Sequence, residues 1–223
     1  MKFFLFYFLF IFNSYSSTLE INKEHSSLKF TVDYMTMIKV EGQFKSFSGI
    51  FNFDPNSKLL QKIKVKINSS SIDTNESKRD FHLKNMDFLF ISKYPEMEFL
   101  TTEDFYLALN EKKTIFGDLI IRGIKKKVTG KINYKGCVKD PWGKESYFFE
   151  FKLEIDRKDF KLNWNKELDQ GGYLVGDIIY TKIIIQAQKE GEKTAFSTHM
   201  IPARALLKKS KIKLIQKMDS LKK

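Results

Sequence analysis

The chain has 223 residues, 22 of them phenylalanine, and a formal net charge of +12. That length allows one substantial core plus a tail, while the single cysteine, Cys137, excludes an internal disulfide and a cysteine-based zinc site. The charge is concentrated: residues 200–223 hold eight lysines or arginines and one aspartate, a balance of +7, and removing these and Lys2 leaves +4 for the rest, so no nucleic-acid partner is expected.

In chain order, Met1-Lys2 is a short basic start, Phe3 to Phe12 is an unbroken apolar run, and Ser14-Tyr15-Ser16 offers small residues at a cleavage site. This predicts a signal peptide over residues 1–16 and a periplasmic or secreted protein. The apolar run is too short to cross a bilayer well. Leu28, Phe30, Val32 and Tyr34 then alternate with polar residues, as a half-buried strand does. Gly42 and Gly49, within a phenylalanine-rich run, suggest bulges or bends. After the turn Asp54-Pro55-Asn56, the residues Ile63, Val65 and Ile67 alternate with Lys62, Lys64 and Lys66.

The alternation stops between Ser69 and Pro95. This block holds Arg79, Asp80 and His82, and the last is one of three histidines, with His25 and His199. The histidines have no metal-ligand spacing, and neither a metal nor a cofactor is expected. Thr74 or Asn75 is expected to cap a short helix from about Glu76 to Asn85, with Arg79 and Asp80 pairing to neighbouring strands. Residues two apart on a helix diverge, so Asp80 and His82 do not make an acid–base pair. There is no nucleophile elbow and no phosphate loop, so no catalytic residue is assigned.

Strand patterns resume at Met97 and Phe99, and again at Phe105, Leu107 and Leu109, with Asn110 to Lys113 as a hairpin into Ile115, Gly117, Leu119 and Ile121. Val128 to Tyr134, Phe149 to Ile155, and a long run from about Tyr173 to Gln188 follow, with Asp140-Pro141-Trp142-Gly143 as a strong turn. About eight antiparallel strands with one non-strand insertion fit either a barrel or a sandwich. Residues 189–223 form a linker and a basic tail, in which Leu207, Leu214, Met218 and Leu221 recur at helical spacing. The tail reads either as a solvated segment or as an amphipathic helix touching an anionic membrane through Lys208, Lys209, Lys211 and Lys213.

Several blocks together resemble the YceI-like family of exported, lipocalin-like bacterial proteins that bind polyisoprenoid and related lipids. They are His25-Ser26 with Phe30 and Val32; Gly42, Phe44 and Phe47-Ser48-Gly49; Ser71-Ile72-Asp73-Thr74, Arg79-Asp80, His82-Leu83, Phe88, Tyr94-Pro95 and Phe99; Gly117-Asp118-Leu119 with Arg122-Gly123; Arg157, Asp159-Phe160, Leu162 and Trp164; and Val175-Gly176-Asp177. The resemblance covers residues 17–188. Where the family carries a histidine near the end of the first strand, this chain has Tyr34. Where the family has a glycine after the Asp-Phe pair, this chain has Lys161, which predicts a changed turn because lysine tolerates positive φ poorly.

The resemblance implies an all-β fold, an extended eight-stranded antiparallel lipocalin-like barrel with a short inserted helix. It also implies a long apolar pocket for an amphiphilic long-chain lipid: polyisoprenoid, quinone-like or fatty-acyl. Phe30, Val32, Tyr34, Val65, Phe99, Phe151 and Leu153 are then the expected wall contacts. Arg79 and His82 either meet the lipid's polar head or brace the barrel, and Arg157 and Asp159 are read as structural. Trp142 and Trp164 are expected to pack the barrel ends. A ten-carbon chain would contribute roughly 8 kcal/mol by burial before ordering costs. Two other readings stand beside lipid carriage: a small enzyme acting on a bound lipid or quinone, and a membrane-surface adaptor working through the basic tail. The sequence leaves monomer and dimer both open.

Overall fold

The computed structural model describes residues 17–141, 143–169 and 171–191. The expected signal peptide, Trp142 and the tail lysines Lys208, Lys209, Lys211 and Lys213 lie outside these residues. The chain forms β1 (Ser17–Ile21), β2 (Ser27–Tyr34), β3 (Ile38–Phe44), β4 (Phe47–Asp54), β5 (Leu59–Asn68) and β6 (Ile72–Asp73), followed by the helix α1 (Ser77–Lys84). Then come β7 (Glu96–Thr101), β8 (Phe105–Tyr106), β9 (Lys112–Ile121), β10 (Ile124–Lys139), β11 (Glu145–Asp156) and β12 (Val175–Lys189).

Pairing runs β1-β4-β5-β7-β9-β10-β11-β12 and returns to β1, so eight strands close an antiparallel barrel. The expected architecture is present, and closure leaves the ring without free edges. β1 has no counterpart in the sequence reading. A one-turn 3₁₀ segment, Lys23–His25, breaks the first strand in two. β12 spans both halves, meeting β1 through Ala187 to Lys189 and β2 through Val175 to Ile184. The Ser26 hydroxyl accepts from Gln186 N at 2.9 Å and donates to Gln186 O at 3.3 Å. Ser26, rather than the exposed His25, ties down this junction.

Beyond β2 the sheet extends through β3 to β6, giving one end of the barrel a taller wall. The bend in the β4–β5 pair falls at Phe51, where the register shifts, and at Lys62, whose φ is +52°. Ile63 N there donates to Thr101 Oγ1 at 3.0 Å instead of to a ladder carbonyl. Gly42 and Gly49 therefore do not mark bulges. A Cβ on Gly42 would lie 2.4 Å from the Phe30 ring, one on Gly117 2.5 Å from Phe99, and one on Gly130 2.6 Å from Phe151. Each glycine lets an inward phenylalanine lie flat along the sheet.

Two further expectations are corrected. Phe105, Leu107 and Leu109 do not form a strand paired with β9. Only Phe105–Tyr106 is extended, and it pairs with β5, while Leu107 turns inward and is fully buried. An alternating apolar triplet serves a plug as well as it serves a strand. Lys161 does not change its turn: it adopts φ 57°, ψ 32° at the end of the 3₁₀ segment Arg157–Phe160. Lys161 N donates to Lys158 O at 3.0 Å, and Lys161 O accepts from Arg122 Nη1 at 2.9 Å. These bonds offset the roughly 1–2 kcal/mol that a left-handed lysine costs.

Candidate functional site

The alternation that builds the strands also decides what they enclose. Alternate residues of β5, β9, β11 and β12 point inward, apart from the register shifts at Lys62 and between Val175 and Ile179, and nearly all of these are aliphatic or aromatic. They surround a cavity of about 600 Å³, a size that suits a buried small ligand. The phenylalanines flattened over Gly42, Gly117 and Gly130 keep their rings against the wall, which leaves the lumen open.

One end is blind. Phe51 and Phe149 line the deep part of the cavity, and beneath them Phe53 packs against Tyr134, Tyr147 and Phe149 with ring centroids 5.0, 5.8 and 5.5 Å away. Leu60 and Leu107 complete the plug and are fully buried. Burial pushes the Tyr134 phenol up to about 12. The Tyr147 phenol is raised too, first by burial and then by its hydrogen bond to Glu145. A raised phenol holds its proton more tightly in the folded chain than in the unfolded one, where tyrosine titrates near 10. The plug's contribution is therefore intact below about pH 10 and is lost as the pH climbs from there towards 12. We expect tyrosinate absorbance and loss of β-sheet circular dichroism to rise together over that window. Ionisation of all tyrosines at their ordinary pKa with the sheet intact would contradict the plug.

The other end is polar. Apart from Thr181, whose hydroxyl is engaged with the Leu153 backbone, the charged and hydroxyl-bearing side chains along the cavity gather here: Asp33, Tyr34, Thr74, Lys78, Arg79, His82 and Arg157. α1 lies at this end, and its N-cap is Glu76, whose carboxylate accepts from Lys78 N at 3.0 Å and Arg79 N at 2.5 Å. Neither Thr74 nor Asn75 caps it. Thr74 is committed elsewhere: its N–H and hydroxyl both donate to Asp80 Oδ1, at 2.9 and 2.6 Å. Its hydroxyl and carbonyl accept from Arg79 Nε and Nη2, at 2.8 and 2.7 Å. Arg79 and Asp80 thus grip Thr74, the residue just after β6, and do not reach across to other strands. Arg79 lines the cavity, and its Nη1 has no hydrogen bond among the described residues.

His82 Nε2 lies 3.0 Å from Asp87 Oδ2. Its ring stands edge-on to Trp164 and Phe88, with centroids 4.9 and 5.1 Å away. Asp80 and His82 point to different partners, as their spacing implied. Trp164 does more than pack a barrel end: it holds the His82 ring and lines the cavity. Asp159 pairs on the surface with Lys126 at 3.2 Å.

Arg157 is 2% exposed. Its Nε donates to Gly176 O at 2.9 Å, and Nη1 donates to Leu162 O and to Trp164 O, the latter at 2.9 Å. Nη2 reaches Val175 O at 3.4 Å and Asp177 Oδ1 at 3.3 Å. One guanidinium thereby joins the segment after β11 to the start of β12. Burial lowers its pKa, and Asp177 and Asp156 act in the opposite direction. The structural reading of Arg157 holds, although the residue also borders the cavity.

All nine residues singled out from the sequence lie along the cavity: Phe30, Val32, Tyr34, Val65, Phe99, Phe151 and Leu153 on its walls, Arg79 and His82 at the polar end. The sequence reading did not assign Val40 and Phe44 of β3, Leu83 of α1, or Ile179 and Ile183 of β12 to the cavity. The period-two pattern of β12 was visible and could have placed its isoleucines there. Val40 and Phe44 carried no such signal, because Gly42 interrupts the apolar face between them.

A profile of the YceI-like domain matches residues 19–188. Protein YceI of Escherichia coli O157:H7 is 36% identical over 145 residues, covering 64% of this chain and 75% of that protein. In three dimensions the chain is similar to BcnA of Burkholderia cenocepacia, with a TM-score of 0.64 and 21% identity over 75% of this chain and 99% of that one. It is also similar to a polyisoprenoid-binding domain from Saccharophagus degradans, with a TM-score of 0.56 and 15% identity over 77% of this chain and 98% of that one. At such identities these two likenesses speak for the fold.

Proposed function

The chain belongs to the YceI-like family, and from that premise we propose that it binds an amphiphilic long-chain lipid inside the barrel and carries or stores it. The observation that carries this reading is the distribution of polarity: an apolar lumen, blind at one end, with its charged side chains collected at the other. A hydrocarbon chain lies along Val65, Phe99, Phe151 and Leu153, held by burial at about 0.8 kcal/mol per CH₂. The polar head sits near Tyr34, Arg79 and His82, where Arg79 Nη1, which has no hydrogen bond among the described residues, can donate to a phosphate or carbonyl oxygen. The polyisoprenoid-binding domain of Saccharophagus degradans, which shares the fold, supports an isoprenoid chain; a quinone-like or acyl chain meets the same requirement.

The apolar, signal-like run at Phe3–Phe12 supports action in the periplasm or outside the cell. The lysines Lys208, Lys209, Lys211 and Lys213 support a peripheral contact with anionic lipid. Organic extraction of the purified full chain, followed by mass spectrometry, tests the binding reading. A co-purifying long-chain lipid is expected. A ligand-free protein that also fails to take up prenyl and fatty-acyl probes would overturn it.

A further inference from the structure

The open end of the barrel exposes apolar side chains that the fold does not use. The β2–β3 hairpin turns through Tyr34 to Met37, with Met37 N donating to Tyr34 O at 3.2 Å and Met35 and Thr36 at φ of 52° and 58°. Two consecutive positive φ values are the geometry of a type I′ turn, which favours Asn-Gly and similar pairs. Here the pair is Met-Thr, followed by Met-Ile, and threonine is strained in that region. Met35 is 44% exposed, Met37 88% and Ile38 59%. Met35 N also donates to Leu174 O at 2.8 Å, which sets the half-exposed Tyr173 beside the tip along the backbone.

Tyr34 and Leu174, the chain neighbours of these residues, line the cavity, so the apolar tip borders its opening. α1 turns Lys78, Arg79 and His82 towards the cavity. Phe81 of the same helix does not line the cavity and is 70% exposed. Lys78 and Lys166, at this same end, make no ion pair among the described residues, and Glu167 and Asp169 oppose them in charge.

We propose that this rim docks on a lipid bilayer, with Met35, Met37 and Ile38 entering the headgroup layer so that the cavity opens towards the acyl chains. This rests on the lipid-binding reading above: a ligand nearly insoluble in water has to pass between bilayer and lumen without crossing solvent. A protruding tip of unbranched methionines needs no complementary surface to be covered by a bilayer, whereas a protein partner would have to supply a matching groove. The near balance of charge around the rim makes apolar insertion, more than attraction, the source of binding. Lys78 and Lys166 are placed to reach phosphates.

The test uses the full chain carrying Met37→Trp, with Val138→Trp at the blind end as control, and vesicles of phosphatidylcholine and phosphatidylglycerol. The added emission of Met37→Trp should shift to the blue and be quenched by brominated acyl chains, while that of Val138→Trp should do neither. Failure to bind vesicles, or binding that leaves the Met37→Trp emission unchanged as tail-driven attachment would, overturns the proposal. A blue shift that appears without vesicles and grows with protein concentration means that a second copy covers the tip, which also overturns it. The double variant Met35→Ser, Met37→Ser should slow transfer of a fluorescent prenyl probe from vesicles about tenfold, with binding capacity for the probe unchanged. An unaltered rate counts against docking. If no variant takes up the probe from any source, the lipid-binding reading fails, while the quenching result still decides the docking.

Discussion

Arg157→Met is expected to destabilise the barrel by about 3–5 kcal/mol, enough to bring a domain of ordinary stability close to unfolding. Methionine fills much of the same volume, so the loss is not one of packing. The arginine is 2% exposed and donates to the carbonyls of Leu162, Trp164, Val175 and Gly176, and methionine donates to none; the Val175 carbonyl keeps a second donor, Asn165 Nδ2 at 2.8 Å. The carbonyls of Leu162, Trp164 and Gly176 then lose their arginine donor, at about 1–3 kcal/mol for each that water cannot reach. The ion pair with Asp177 is the smaller part, because that carboxylate is 38% exposed and water screens it. Asp177→Asn should accordingly cost about 1 kcal/mol or less. Arg157→Lys should not rescue the fold, since an ammonium lacks the planar fork that reaches carbonyls in two directions. Urea unfolding of the three variants checks this order. A wild-type midpoint for Arg157→Met would show that the segments on either side are held by other means.

The second large effect concerns the lumen. Val32→Trp should weaken uptake of a long-chain probe about a hundredfold or more while leaving the melting temperature close to that of the parent chain. Val32 lines the cavity near its open end and is only half-buried, because its side chain borders open space rather than packed atoms. Overpacking a filled core costs about 1–3 kcal/mol, but an indole entering an empty lumen meets little resistance. The space it takes excludes several methylenes of ligand, and at about 0.8 kcal/mol each, three or four of them amount to about 3 kcal/mol, a factor of roughly a hundred. Fluorescent-probe titration beside a thermal melt separates the two quantities. Full uptake by a variant that melts normally would place the ligand outside the barrel.

Much of this was legible in the sequence, for a reason that also sets its limits. Period-two alternation reports which side of a strand is apolar, and a barrel has only an inside and an outside. The wall residues Phe30, Val65, Phe99 and Leu153 could therefore be named without coordinates. β1 could not, because five residues give too short a pattern to read. The Phe105–Leu109 stretch alternates because Leu107 must be buried in the plug, and periodicity does not say whether a buried residue belongs to a strand. The helix was located by the loss of alternation, yet its cap was misassigned. Thr74, a better N-cap residue by type than Glu76, is already held by Arg79 and Asp80, and that knot depends on the chain path after β6. The polar end of the cavity is similarly invisible to spacing, since Tyr34, Arg79 and Arg157 meet there from distant parts of the chain.

The closure of the ring also fixes an order of events. β1 begins at Ser17 and pairs with β12 through Ala187 to Lys189. The barrel's first and last strands are therefore neighbours, and almost the whole chain must exist before the wall can be sealed. A nascent chain stopped at any earlier point keeps two unpaired edges and an open apolar trough. Local helices cannot carry such a chain forward, because most of its contacts join residues far apart in sequence, a topology that folds slowly. The same pairing that gives the finished protein a continuous wall around its lumen keeps the unfinished one from becoming compact, and leaves it dependent on whatever shields its strands until residue 189 has been made.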